Sequence, residues 1–144
     1  MTAALCSSAP PTNIADPEAF VKDVYRRLKA GEARGAPSYI PPEDIYTPRL
    51  NRLFAEDRRH AGKEPGCADF LFWINGQDSD LQDVRVTRQP GADEDHLTIV
   101  AHFRNETPQE LHFQFQRIKG KWLLDDVESL RDQKWLLSKL LHCW

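Results

Sequence analysis

The feature that most constrains this chain is a change of hydrophobic period near residue 80. Before it, apolar residues recur every three to four positions; after it, they alternate with polar ones. Val84 and Val86 alternate with Arg85 and Thr87. Leu97, Ile99, Ala101 and Phe103 alternate with Thr98, Val100, His102 and Arg104; Leu111, Phe113 and Phe115 with His112, Gln114 and Gln116; and Trp122 and Leu124 with Leu123 and Asp125. This pattern predicts four consecutive strands. The turn signals between them, Pro90-Gly91, Asn105 to Pro108 and Lys119-Gly120, are short enough to demand antiparallel hairpins.

Register follows from keeping apolar rows together, because a slip of one residue would set an apolar row against a polar one. The expected pairs are Phe103 with Leu111, Ala101 with Phe113 and Ile99 with Phe115. Across the two-residue Lys119-Gly120 loop, Phe115 should face Leu124, Arg117 should face Trp122 and Phe113 should face Asp126. One face is then apolar apart from Asp126. The other carries His102 opposite His112, and Gln114 opposite Asp125.

Ahead of the sheet, Asp16 as cap and Pro17 at the first helical position predict a helix. Its stripe is Phe20, Val21, Val24, Tyr25 and Leu28, and Gly31 should end it. A loop rich in proline and glycine leads to a second start at Thr47-Pro48, whose stripe of Leu50, Leu53 and Phe54 ends near Gly62. The dense apolar cluster Phe70 to Ile74 must be buried as a helical turn or an edge strand. After the sheet, Ser129 with Asp132 resembles a capping box. With Leu130, Leu136, Leu137, Leu140, Leu141 and Trp144 it predicts a terminal helix.

A chain of 144 residues suits one domain, placed at residues 16–144 behind a tail at 1–15. That tail is either disordered or the remnant of a secretory signal peptide, since Met1 to Pro10 is small-residue, apolar and uncharged. The remnant reading places the protein in the periplasm, and a native start would place it in the cytoplasm. Nineteen basic against 22 acidic residues leave no global field to attract nucleic acid, and no stretch is apolar enough for a membrane span. Arg49, Arg52, Arg58 and Arg59, interrupted by Glu56 and Asp57, read as a solvated helix face. Cys6, Cys67 and Cys143 have no metal-ligand spacing; one disulfide with one thiol left over is possible, and whether Cys67 pairs with Cys143 stays open.

The element order, helices and then a curved antiparallel meander, resembles the cone-shaped nuclear transport factor 2-like, or cystatin-like, architecture. Four segments, Asp16-Pro-Glu-Ala-Phe-Val-x-x-Val-Tyr25, Tyr46-Thr-Pro-Arg-Leu50, Asp69-Phe-Leu-Phe-x-x-x-Gly-Gln-Asp78 and Gly120-Lys-Trp-Leu-Leu-Asp-Asp126, are similar to the bacterial family catalogued as domain of unknown function 3828. The similarity covers about Asp16 to Glu128. It implies an exported bacterial protein of this cone fold with no assigned reaction, with some relatives beside antibacterial toxin systems. The long terminal helix departs from the family pattern.

The expected fold is therefore α+β, with N-terminal helices packed on a curved antiparallel meander and a C-terminal helix. Two functional readings compete. In the first, the chain is a non-enzymatic binding protein whose partner is a protein, either a toxin or effector it inhibits or a second copy. The partner surface would then comprise Arg104, His102, His112 and Gln114 of the polar face, together with Trp144. In the second, the mouth of the cone is a pocket for a small apolar molecule, lined by Asp126, Tyr46, Trp73 and Trp122. Asp126 would be a carboxylate of raised proton affinity in apolar surroundings, able to act as a general base as in an isomerase or hydrolase. No second acid is visibly paired with it, so no catalytic residue is assigned. His102 and His112 lack a third ligand, and Asn75 to Asp80 lacks the central glycine and closing Glu of a calcium loop, so neither a metal nor a cofactor is expected.

Overall fold

The computed structural model describes residues 10–34 and 39–144. The expectation for the first nine residues, Cys6 included, lies outside the described residues. Helix α1 spans Pro17–Arg34 and α2 spans Pro48–Ala61. Five strands follow, β1 Leu81–Asp93, β2 His96–Asn105, β3 Thr107–Ile118, β4 Lys121–Ser129 and β5 Trp135–Leu136, and α3, Leu137–Leu140, ends the fold. The strands form one antiparallel sheet in the order β1-β2-β3-β4-β5. The α+β class and the antiparallel meander are as the sequence predicts.

The two helix starts also form as expected. Thr47 accepts the Leu50 N–H at its side-chain oxygen ahead of Pro48, and Gly62 ends α2 at φ 63°. Helix α1 runs past Gly31 to Arg34. Glu32 supplies the reason: its carboxylate accepts the Leu81 N–H at the first residue of β1, at 3.1 Å, and the Ser79 hydroxyl. Asp57 turns inward instead of joining the solvated face. It accepts the Cys67 N–H at 2.8 Å, and a Cβ at Gly66 would collide with its carboxylate.

Two of the three turns differ from their sequence signals. Strand β1 continues through Pro90-Gly91 and reverses at Glu94-Asp95, where the Asp93 carboxylate accepts the Asp95 N–H at 2.8 Å. Proline is tolerated there because β1 is an edge strand, and the ladder is irregular between Gln89 and Asp93. Between β2 and β3 the reversal narrows to Glu106 at φ 67°, with Asn105 facing Thr107. The register is therefore shifted by two residues from the one predicted: Ala101 faces Leu111, Ile99 faces Phe113 and Leu97 faces Phe115. A shift of two preserves the faces, so the buried row of Ile99, Ala101, Phe103, Leu111, Phe113 and Phe115 survives it. The Lys119-Gly120 hairpin, Phe115 facing Leu124 and Arg117 facing Trp122 are as predicted.

The C-terminal helix is corrected most. Ser129 is the last residue of β4, and its hydroxyl donates to the Gln133 carbonyl at 2.6 Å. Asp132 sits at φ 61°, where it accepts from Thr107 and Gln109. Trp135 and Leu136 pair with Ser129 and Glu128, so α3 is a single turn that buries Leu137, with Leu141 just beyond it. The Phe70 to Ile74 cluster is a turn closed by a Leu71 to Gly76 bridge that sends Phe72, Trp73 and Ile74 inward. Cys67 and Cys143, 76 residues apart, form a disulfide that ties the end of the chain to the segment after α2.

The core lies between the apolar sheet face and the helices. Trp73 stacks on Phe113 at 4.6 Å and meets Tyr25 edge-on at 6.3 Å. Phe113→Ala should cost about 3–5 kcal/mol in urea denaturation, and a loss below about 1 kcal/mol would remove this residue from the core. Reducing the disulfide should lower stability by about 2–5 kcal/mol, read as a fall in Tm on adding a thiol reductant.

Candidate functional site

A bulge in β4 decides where the acidic residues go. Gln114 faces Asp126 while the next residue, Phe115, faces Leu124, so Asp125 is left without a partner on β3. Leu124 and Val127, three apart, are both fully buried on the core side. The expected pairing of Phe113 with Asp126 is thereby overturned, because Phe113 faces Val127.

Asp126 is buried but held by donors on all sides. Its Oδ1 accepts the backbone N–H of Val127 at 2.9 Å and of Ser138 at 3.0 Å. Its Oδ2 accepts the Ser138 hydroxyl at 2.6 Å and lies 3.4 Å from the Arg49 guanidinium. Asp125 accepts the Thr47 hydroxyl at 2.8 Å and pairs with Arg49. The two carboxylates thus fasten the starts of α2 and α3 to the sheet edge. Four donors thus surround the Asp126 carboxylate in place of the apolar surroundings expected of it.

The four pocket candidates do not converge. Trp73 is 1% exposed and lies inside the core. Tyr46 packs on Phe54 at 4.9 Å in a surface hollow with Asn51 and Arg58, and burial pushes its hydroxyl well above the ordinary tyrosine range. Trp122 lies under the Arg117 guanidinium at 5.2 Å and borders a separate hollow with Asp16 and Arg88.

The polar face of the sheet does bring residues together. His102 faces Glu110, not His112, because of the two-residue shift in register. Glu110 lies between the two imidazoles, 2.7 Å from His112 Nε2 and 3.4 Å from His102 Nε2. The His112 hydrogen bond, the largest influence, holds the Glu110 carboxyl below its ordinary range. Arg85 of β1 faces His102, and Glu128 of β4 faces His112, so charged and titratable groups cross the sheet from β1 to β4. Arg104 is exposed on the same face, Gln114 follows His112 along β3, and Val100 is packed down among these side chains. Trp144 belongs to another region: it stacks on His60 of α2 at 3.9 Å, beside the disulfide.

Sequence reasoning missed Glu110 and Arg85. The i, i+2 spacing of Glu110 and His112 on one strand was the available signal for the first. Among the described residues, no three His, Cys, Asp or Glu side chains are arranged to hold a metal ion. Comparison with protein-family models, curated proteins and solved structures finds no match to this chain.

Asp126→Ala would leave the Ser138 and Val127 donors unpaired and should cost about 2–4 kcal/mol on thermal or urea denaturation. Because the Glu110 carboxyl is depressed, its contribution to stability is complete above the ordinary value of 4.5 and is lost as pH falls through the depressed value. Glu110→Gln should flatten that acid limb of the stability curve. An unchanged limb would mean that the bonds to the histidines contribute nothing.

Proposed function

We propose that this chain is a non-enzymatic binding protein of the bacterial envelope that holds an acidic partner protein against the polar face of its sheet. An immunity-type inhibitor of an antibacterial toxin is the sharpest form of this reading. The observation that carries it is the face itself. The buried apolar residues of all three helices join the core cluster, and the helix contacts made to Asp125 and Asp126 lie at β4, with Thr47, Arg49 and Ser138. Arg85 and Arg104 stand exposed on it and form no ion pair among the described residues, whereas Glu110 is already engaged by two histidines. Unpaired guanidinium groups beside half-buried His, Gln and Thr side chains suit a carboxylate-bearing protein surface, which they would attract at long range and bind bidentately.

Two further features support the reading. The Cys67–Cys143 disulfide fits an oxidising compartment, as the resemblance to exported proteins implies. Among the described residues, no helix is long and apolar enough to cross a membrane. Helices leading into an antiparallel meander also agree with the cone architecture, although here the space next to Asp126 is filled by Arg49 and Ser138 and the centre by Trp73. That filling weighs against the small-molecule pocket and against an isomerase- or hydrolase-like reaction.

The test is affinity capture from an extract of the source organism, followed by binding kinetics on the captured protein. Reversing both charges, Arg85→Glu with Arg104→Glu, should slow association at least about tenfold at low salt and much less at high salt. Tyr46→Phe and Trp122→Ala should leave binding unchanged. Capture that survives charge reversal but is lost with Tyr46→Phe would sink the surface reading in favour of a pocket.

A further inference from the structure

A hollow of about 450 Å³ lies between the turn that carries Phe70 and the segment that runs from Gln133 into α3. This volume falls within the range of small-molecule sites. It is separate from the sheet face assigned above to a partner protein.

The walls are held from several sides. Phe70 and Trp135 stand 5.6 Å apart with their rings inclined at 59°, both half-exposed, and Leu140 adds apolar surface beside them. Trp135 is oriented by a hydrogen bond from its indole N–H to Asn75 Oδ1 at 2.9 Å. Asn75, at φ 51°, is itself fixed: its amide nitrogen lies 2.8 Å from Gln109 Oε1 and 3.2 Å from Ser129 Oγ. The disulfide joins the two walls, since Cys67 lies two residues before Asp69 and Cys143 three residues after Leu140. This is a preformed cleft with an aromatic pair whose geometry does not await a ligand.

The rim decides the class of ligand. Asp69, Gln77, Gln133 and Lys134 are exposed around the aromatic pair, one carboxylate, one ammonium and two carboxamides, with no net charge. An anion or a cation would meet one group of each sign. A purely apolar ligand would strip water from four polar side chains and give nothing back. Hydroxyl groups both donate and accept, so they can satisfy a carboxylate, an ammonium and a carboxamide alike. A ring with hydroxyls on its edge and C–H groups on its face meets both the rim and the aromatic pair. We propose that this cleft binds a neutral saccharide, one pyranose unit lying against Phe70 and Trp135 with its hydroxyls on the side chains of Gln77, Gln133 and Asp69.

The experiment is an NMR titration of the oxidised full chain, following the backbone amide signal of Gly76 in the cleft wall, which both variants retain, with N,N′-diacetylchitobiose and maltose as probes. The zwitterionic dipeptide Ala-Phe, whose ammonium and carboxylate could pair with Asp69 and Lys134, serves as the peptide control. Saturable movement of that signal with at least one disaccharide is expected, with weakening of at least about tenfold in Trp135→Ala and a smaller loss in Gln133→Ala. Gln133 offers an exposed side chain whose truncation spares the core, so it keeps the test valid if Trp135→Ala fails to fold. Three results would each overturn the proposal: no movement with either sugar up to tens of millimolar, movement unaltered by the Gln133 and Trp135 variants, or movement with Ala-Phe alone.

Discussion

Asp125 and Asp126 are adjacent on β4, and the bulge that turns both carboxylates toward helix starts governs the free edge of the sheet. Above the bulge, β4 bonds to the Ile45 to Thr47 segment, with Leu124 N–H reaching the Ile45 carbonyl at 2.7 Å. Below it, β4 bonds to β5. One strand thus changes partners midway, and backbone groups at such a change would be orphaned without side chains to satisfy them. Asp126 takes the Ser138 N–H, and Asp125 takes the Thr47 hydroxyl. Arg49 sits over both carboxylates and offsets the repulsion between them. Removing the extra residue of the bulge would send Val127 outward and set a carboxylate beside Phe113.

The same edge explains how the interior is filled. With the acids drawn outward and the Phe70 to Ile74 turn folding Trp73 onto Phe113, the apolar face of the meander is occupied by the protein's own aromatic rings. Chemistry-bearing groups are left on the outer face and around the C-terminal segment. On the outer face Glu110 satisfies two imidazoles at once, and Arg85, Arg104 and Glu128 form no ion pair among the described residues.

How much of this was legible in the sequence can be traced residue by residue. The buried row from Ile99 to Phe115 and the Lys119-Gly120 hairpin were readable, because alternation and turn chemistry are local signals. The register between β2 and β3 was not, since Thr107-Pro108 has turn composition yet lies in β3, and only the Asn105 side chain, drawn in to bond Ile74 and Asp78, tightens the reversal. The bulge left no mark, because Leu123-Leu124-Asp125-Asp126-Val127 alternates equally well in either phase. Asp126 was therefore placed in the core and His102 opposite His112. Leu136, Leu137, Leu140 and Leu141 suggested a long helix, but a sequence stripe cannot reveal that Asn75, sixty positions away, takes the Trp135 indole.

The end of the chain shows what replaces regular structure when it is too short to stand alone. A two-residue strand and one helical turn fall far below the length at which either is stable by itself. The segment is held instead by separate anchors: Leu137 and Leu141 in the core, Ser138 on Asp126, Trp135 on Asn75, and the disulfide at Cys143. Each draws on a different part of the chain, so loss of one leaves the others in place and opening is confined to the segment. Strands β1 to β3 share the core with Leu137 and Leu141, but the Ser138 anchor belongs to β4 and the Trp135 anchor reaches β3 only through Gln109. Local opening at the C-terminus can therefore loosen the Trp135 cleft while leaving the Arg85 and Arg104 face unchanged.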